Sequence, residues 1–136
     1  MHSREEKLEA FGRFLDVLDT LREKCPWDKK QTNESLRPNT IEETFELCDA
    51  LMKDDKKNIC KELGDVLLQV VLQSQIAADA GEFTIDDVCA DVNAKMIRRH
   101  PRVFGGEIPE VENEKDLWEA IKKQEREEKK KRAAAH

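Results

Sequence analysis

The segment KELGDVLLQVVLQ, residues 61–73, decides the fold, because in a helix it is apolar on nearly every side. A surface helix keeps a polar stripe, whereas a helix that is apolar all round lies buried. The segment therefore predicts a buried helix that opens with two acids, Glu62 and Asp65. Its apolar residues are Val66, Leu67, Leu68, Val70, Val71 and Leu72.

The sequence before this segment predicts two helices separated by a loop. Apolar residues recur every three or four positions, which predicts a first helix over residues 3–24. Pro26 ends that helix, and the turn formers that follow predict a loop as far as Pro38. Thr40 and Glu43 have the spacing of a capping box, which would open a second helix. The buried stripe of this helix is predicted to be Ile41, Phe45, Cys48 and Met52.

The remaining sequence predicts three more helices. The third helix is expected over residues 57–80 and is stopped by Gly81. A capping box at Thr84 starts a fourth helix that ends near Pro101, and Asn113 caps a last one. No segment shows the alternation of a strand, so the predicted architecture is an all-α bundle.

Length and charge bound the class of protein. The 136 residues predict one domain, placed at residues 1–121, followed by a charged extension over residues 122–136 whose AAAH end resembles an appended sequence. The 24 basic and 30 acidic residues give a net charge of −6. This charge argues against nucleic-acid binding and membrane-surface binding, so we expect neither kind of partner.

The sequence also indicates the compartment. No signal peptide opens the chain, and no apolar run approaches the roughly 18 to 20 residues of a membrane span. The 4 cysteines form no CxxC pair and the 3 histidines are scattered, so we expect reduced thiols and no zinc site. A soluble cytoplasmic protein is predicted.

Five carboxylates on the second and third predicted helices carry the main functional prediction. Residues three apart on a helix share a face, which makes two pairs of these acids. Two such pairs facing each other would form an oxygen-rich cage for a hard divalent ion, Mg2+ or Mn2+. The pairs are Glu43 with Glu46 and Glu62 with Asp65, and the fifth acid is Glu42 in TIEETFEL, residues 40–47.

A simpler interpretation of each acid stays open. Acids in the first helical turn favour the helix dipole, which would account for Glu42 and Glu43, and Glu46 would lie on a solvated face. Asp65 fits this interpretation less well, because most neighbours on its helix face are apolar. Di-iron bundles require Glu-x-x-His and EF-hands an Asp-rich loop, and neither occurs here. The joint occurrence on adjacent helices favours a metal site.

A carboxylate metal site predicts a polyphosphate substrate. A hard ion held by carboxylates keeps several waters, and these positions suit phosphate oxygens. Lys95, Arg98 and Arg99 share one face of the fourth predicted helix and would bind phosphates, unless they only complement the helix dipole. Trp27 and Trp118 would each either stack on a base or fill the core.

Five segments in order resemble one known family over residues 15–125. The segments are CPWDKKQTNESL, IEETFEL, KELGDVLLQVV, KMIRRHPRVFGG and WEAIKKQE. Together they closely resemble the MazG nucleoside triphosphate pyrophosphohydrolases. The resemblance implies an all-α fold on a four-helix core, a tight homodimer, and Mg2+-dependent cleavage of a nucleoside triphosphate to the monophosphate and pyrophosphate.

The resemblance also implies roles for individual residues. The expected metal ligands are Glu43, Glu46, Glu62 and Asp65. The expected substrate-binding residues are Lys95, Arg98 and Arg99 in the basic segment, and Trp118 and Lys122 in the W-x-x-I-K segment, to which we add Trp27. A spare carboxylate, Glu42 or Glu46, is expected to orient or deprotonate the attacking water.

A second interpretation comes from the same family. Many members carry two such domains in tandem, and the CPWD-type segment resembles the first of the pair. One copy of a tandem pair can serve structure or regulation. The alternative function is therefore a catalytically weak dimerisation or regulatory domain of a longer protein.

Overall fold

The computed structural model describes residues 1–135, and every regular element in that range is a helix. The predicted all-α class is therefore confirmed. None of the described helices is long and apolar enough to span a membrane. The chain divides into two compact units, one of residues 1–85 and one that begins at residue 86. The helices are α1 (Arg4–Lys24), α2 (Pro26–Lys30), α3 (Asn33–Lys53), α4 (Lys56–Asp79), α5 (Ile85–Arg99), α6 (Pro101–Phe104) and α7 (Glu114–Ala135).

The first unit is built around the pair α3 and α4. A tight turn joins them, in which Asp54 takes a left-handed conformation with φ of 52°. The Asp55 carboxylate then accepts a hydrogen bond from the backbone N–H of Asn58 and caps α4. Helix α1 packs against α2 and α4. The buried apolar side chains of this unit are Leu18, Leu36, Ala50, Val71, Leu72 and Ala77. The prediction that α4 is buried on nearly every side is wrong, because Leu67 is 39% exposed and Val70 is 40% exposed.

The predicted loop between Pro26 and Pro38 is wrong, because most of that stretch is helical. Thr32 and Ser35 form a reciprocal capping box that starts α3, with side-chain to backbone distances of 3.0 and 2.9 Å. Pro38 lies in the second turn of α3, where it removes one backbone donor without ending the helix. The capping signal at Thr32 therefore outweighs the proline as a local boundary signal.

The predicted capping role of Thr40 is also wrong, since Thr40 lies inside α3. Its hydroxyl donates to the carbonyl of Leu36 at 3.0 Å and accepts from Gln73 Nε2 on α4 at 2.6 Å. Buried polar groups on α4 need hydrogen-bond partners, and Thr40 supplies one. The polar face of α3 is thus the face that meets α4.

As a consequence, the predicted buried stripe of α3 is exposed. Ile41 is 71% exposed, Phe45 is 74% exposed and Met52 is 86% exposed, and Cys48 is exposed as well. We refer to these four residues as the α3 apolar stripe. Ala50, which the prediction left out of the stripe, is fully buried in its place.

The second unit contains most of α5, then α6 and α7. Helix α5 begins directly after Thr84 and ends before Pro101, as predicted. Asn113 caps α7 by accepting from the backbone N–H of Asp116 at 2.9 Å, which confirms another predicted cap. Helix α7 continues without a break across residues 121 and 122, and the domain division placed there stays a prediction. Residue 136 of the predicted extension lies outside the described residues.

Candidate functional site

Three of the predicted metal ligands come together where α3 faces α4. Glu43 on α3 and Glu62 and Asp65 on α4 each offer a carboxylate oxygen, and these oxygens lie within 4.8 Å of one another. The three-residue spacing on α4 places two carboxylates on one helix face. The third carboxylate, that of Glu43, comes from the polar face of α3 that meets α4. We call Glu43, Glu62 and Asp65 the carboxylate cluster.

Burial leaves this cluster short of partners. Glu62 is only 5% exposed. Glu62 Oε2 and Glu43 Oε2 are both buried and have no hydrogen-bond partner within the described part of the chain. A buried charged oxygen without a partner is costly, and native proteins rarely leave one unsatisfied. A bound cation would satisfy both oxygens.

Lys61 partly neutralises the carboxylate cluster. Lys61 Nζ lies 3.1 Å from Glu62 Oε1 and 3.6 Å from Asp65 Oδ2. The hydrogen bond to Glu62, followed by the attraction of both carboxylates, raises the pKa of Lys61. A single positive charge thus stands against three negative ones, and the cluster keeps a net negative charge.

The pKa values of the neighbouring acids report this excess. Burial, followed by repulsion from Asp65, Glu62 and Glu42, raises the pKa of Glu43. Burial, followed by repulsion from Glu43 and Glu62, also raises the pKa of Glu46. Glu46 is therefore close enough to feel the cluster, although it is not among the three acids within 4.8 Å. Glu42 is exposed on α3.

The predicted phosphate-binding arginines lie in the second unit, where both are already paired. Glu125 on α7 accepts hydrogen bonds from Arg99 Nη2 at 3.0 Å and from Arg98 Nε. The Arg99 guanidinium also lies over the Trp118 ring, with Cζ 4.8 Å from its centroid. Because of the two arginines, the pKa of Glu125 is lowered. We call Arg98, Arg99, Glu125 and Trp118 the arginine cluster.

The other predicted substrate-binding residues have fewer contacts. Lys95 on α5 is half-buried and forms no ion pair within residues 1–135. Lys122 Nζ lies 3.8 Å from Glu119 Oε1, which is a loose contact on one face of α7. Trp27 on α2 is 55% exposed, so it is not a core residue of the first unit. Its backbone carbonyl accepts from Gln31 Nε2 at 3.0 Å.

Sequence reasoning missed two residues that matter for these clusters. Lys61 has a recognisable signal, because it lies four positions before Asp65 and next to Glu62. Glu125 lies in a charged run, but it also falls seven positions after Trp118 and four after Ile121. That spacing places Glu125 on the inner face of α7.

The chain also resembles known proteins. Residues 31–104 match the MazG nucleotide pyrophosphohydrolase domain. The chain belongs to this family. The matched residues include all five predicted carboxylates and the basic segment of α5. Trp27, Trp118 and Lys122 fall outside the matched range.

Several curated proteins resemble the chain over most of its length. A Thermotoga maritima protein named nucleoside triphosphate pyrophosphohydrolase/pyrophosphatase MazG is 48% identical over 122 residues, which cover 88% of this chain and 47% of that protein. An Escherichia coli K12 nucleoside triphosphate pyrophosphohydrolase is 41% identical over 123 residues, again 88% of this chain and 47% of that protein. The uncharacterized Bacillus subtilis protein YabN is 48% identical over 130 residues, 90% of this chain but 26% of its own length.

The chain thus spans less than half the length of these relatives. A solved structure, in contrast, is matched over nearly its whole length. The crystal structure of a mazG-related protein from Thermotoga maritima superposes with a TM-score of 0.67 at 28% identity, covering 82% of this chain and 98% of that one. Over 82% of its length, the chain therefore shares the fold of this mazG-related protein.

Proposed function

We propose that this MazG domain hydrolyses nucleoside triphosphates to the nucleoside monophosphate and pyrophosphate, with Mg2+ as its cofactor. The observation that carries the proposal is the carboxylate cluster, with three acids within 4.8 Å and two buried oxygens without partners. The names of the relatives from Thermotoga maritima and Escherichia coli support the reaction class. The intact carboxylates favour an enzyme over the alternative of a catalytically weak regulatory domain.

The residues present fit a hard divalent ion. Oxygen-only ligation by carboxylates is the donor set that Mg2+ and Mn2+ prefer. Glu43, Glu62 and Asp65 would hold the ion, and Glu46 on the same helix as Glu43 is the proposed fourth ligand. When bound, the ion would neutralise charge on the triphosphate and lower the pKa of a coordinated water.

A carboxylate beside the cluster would handle the proton of the attacking water. Glu46 is one candidate for this role, because burial and repulsion from Glu43 and Glu62 raise its pKa, which indicates that it lies beside the cluster. Glu42, one turn earlier and exposed, is the other candidate for this role. The water oxygen forms a bond to phosphorus, the phosphoanhydride bond to the leaving group breaks, and the carboxylate keeps the proton.

The basic residues of the second unit would bind the phosphates and base of the substrate. Lys95 is the most available cation of this unit, since it forms no competing ion pair within residues 1–135. Phosphate oxygens would share Arg98 with the Glu125 carboxylate, which contacts only Nε of this arginine, whereas Arg99 donates to Glu125 from both Nε and Nη2. Lys122, Trp118 and Trp27 complete the proposed substrate-binding set, with the two rings available for stacking on a base.

A homodimer is part of the proposal. The α3 apolar stripe is exposed, and Leu63 and Val70 on α4 are also more than one-third exposed. Contiguous exposed apolar surface marks an interaction site, and a second copy of the chain is the partner that the family resemblance implies. Phe45→Glu should therefore shift the chain from dimer to monomer by light scattering during gel filtration. Leu8→Glu, at an exposed position of α1, should remain dimeric.

The test of the activity is pyrophosphate release from a panel of ribo- and deoxynucleoside triphosphates with Mg2+, compared with excess EDTA. We expect metal-dependent release with the monophosphate as the second product in equal amount. Release that is insensitive to EDTA would contradict the metal-dependent reaction. No release from a folded protein would support the regulatory alternative.

A further inference from the structure

Lys61 makes a contact that helix geometry alone does not provide. Adjacent residues on a helix do not face each other, yet Lys61 Nζ lies 3.1 Å from the carboxylate of its neighbour Glu62. The same ammonium lies 3.6 Å from Asp65, one turn later. The long lysine side chain has therefore turned along the helix surface toward the carboxylate cluster. The attraction of the crowded carboxylates accounts for this direction.

This contact differs from an ordinary surface ion pair of the same protein. Lys53 and Asp49 are four residues apart on α3 and 2.9 Å from each other, with both side chains well exposed. Exposed pairs of that kind contribute little to stability. Lys61 is similarly exposed, at 66%, but its partner Glu62 has a side chain that is only 6% exposed. Lys61 therefore supplies the positive charge for a buried carboxylate.

We propose that Lys61 is an exchangeable counter-ion of the carboxylate cluster, one that competes with the divalent ion and is displaced when that ion binds. The proposal rests on the metal site of the proposed function. Lys61 Nζ lies against Glu62 Oε1 and Asp65 Oδ2, and both of these carboxylates are ligands of the proposed ion. Two cations held by the same pair of carboxylates repel each other, so binding of the divalent ion favours departure of the ammonium.

The side chain of Lys61 is suited to leaving. A lysine ammonium is a strongly hydrated point charge on a flexible stem, and it regains water as soon as it swings outward. Its 66% exposure means that no packing holds it in place. Arg99 in the second unit is the opposite case, with a side chain only 16% exposed and two hydrogen bonds to Glu125.

The proposal has a thermodynamic signature that a merely structural lysine would lack. Without metal, Lys61→Gln leaves three carboxylates with no counter-ion, so the Tm should fall below that of the wild type. With saturating Mn2+ the ammonium is already displaced, so the two Tm values should converge. A lysine that only stabilised the fold would lose the same stability in both conditions.

The test is calorimetric titration of the full chain with Mn2+ alone. Because Lys61→Gln removes the competing charge, this variant should bind Mn2+ about three- to tenfold more tightly than the wild type. Lys57→Gln is the matched control, because it removes the same charge one turn earlier on α4, where no ion pair within the described residues involves Lys57. Its dissociation constant should stay within about twofold of the wild type, since exposed charges further away are screened.

The two proposals fail in different ways. If wild type binds Mn2+ and Glu62→Gln does not, while Lys61→Gln binds as wild type or more weakly, the counter-ion proposal is overturned and the metal site stands. A Tm deficit of Lys61→Gln that persists in saturating Mn2+ would also overturn it. If wild type binds no Mn2+, or Glu62→Gln binds it equally well, the metal site itself fails and the role of Lys61 fails with it.

Discussion

The carboxylate cluster of the first unit and the arginine cluster of the second are both groups of charged residues on facing helices, but their charge balance is opposite. In the arginine cluster, one carboxylate accepts from two guanidinium groups, and a tryptophan ring covers one of them. In the carboxylate cluster, three acids share one exposed lysine, and two buried oxygens have no partner among the described residues.

The pKa shifts show the same contrast. The pKa of Glu125 is lowered, because hydrogen bonds from Arg99 and Arg98 favour its charged form. The pKa of Glu43 is raised, because burial and neighbouring acids disfavour its charged form. A cluster of the first kind is complete in the protein alone and stabilises the fold. The carboxylate cluster carries more negative charge than the one lysine beside it can neutralise. A site with such an excess of negative charge is suited to a cationic ligand.

The largest expected effect follows from breaking the carboxylate cluster. Glu62→Gln keeps the shape of the side chain but removes a ligand charge, so Mg2+-dependent pyrophosphate release should fall about 1000-fold or more. Circular dichroism should show an unchanged helical content. Asp49→Asn, which removes an exposed acid of α3, is the matched control and should retain full activity. Comparable rates in both variants would remove Glu62 from the mechanism.

A smaller effect is expected from breaking the arginine cluster. Glu125→Gln should lower the free energy of unfolding at pH 7 by about 1 kcal/mol, because it weakens two charge-assisted hydrogen bonds at a partly buried site. The lowered pKa of Glu125 means that its stabilisation is present above the ordinary pKa of 4.5 and is lost as pH falls through the lowered value. Urea unfolding at pH 7 and pH 3 should show the difference shrinking in acid.

An equal loss at both pH values would show that the Glu125 charge does not stabilise the second unit. Arg98→Gln should lower the free energy of unfolding less than Arg99→Gln does, because Arg98 is the more exposed of the two arginines.

The smallest expected effect has the opposite sign. In EDTA at pH 7, Glu43→Gln should raise the free energy of unfolding by about 0.5 kcal/mol, because it relieves repulsion between like charges. The raised pKa of Glu43 means that the wild type is free of this penalty below the ordinary pKa of 4.5, and that the penalty grows as pH rises from there and is complete above the raised value. The gain should therefore vanish near pH 4.

Saturating Mg2+ should reverse the order of stability, because the wild type gains binding energy that Glu43→Gln has lost. A variant less stable than wild type in EDTA at pH 7 would contradict the view that the cluster is short of positive charge. Urea unfolding of the wild type and Glu43→Gln, in EDTA and in saturating Mg2+, measures both differences in stability.

Local spacing predicted the carboxylate cluster better than it predicted the helix that carries part of it. Glu62 and Asp65 share a face at any helix rotation, so their pairing follows from the sequence alone. The sequence does not tell in the same way which face of α3 points inward, because α3 has both an apolar face and a polar face. Hydrogen bonding of Thr40 with Gln73 on α4 and the position of Glu43 selected the polar one.

The roles of the arginines were hidden for a similar reason. Their spacing on α5 identified a basic face, but the carboxylate that neutralises them comes from α7, 26 positions after Arg99. The spacing from Trp118 and Ile121 places Glu125 on the inner face of α7, but no local pattern on α5 indicates that this glutamate meets the two arginines. The exposed α3 apolar stripe likewise depends on a tertiary choice, so its exposure became visible only in the folded structure.

The central claim is that the carboxylate cluster is a divalent metal site, and anomalous diffraction tests it most directly. Crystals grown with Mn2+ and a non-hydrolysable triphosphate analogue should show an anomalous peak about 2.0–2.2 Å from oxygens of Glu43, Glu62 and Asp65, with Lys61 turned away. A peak held by other residues, or no peak with Lys61 still on Glu62, would contradict the account.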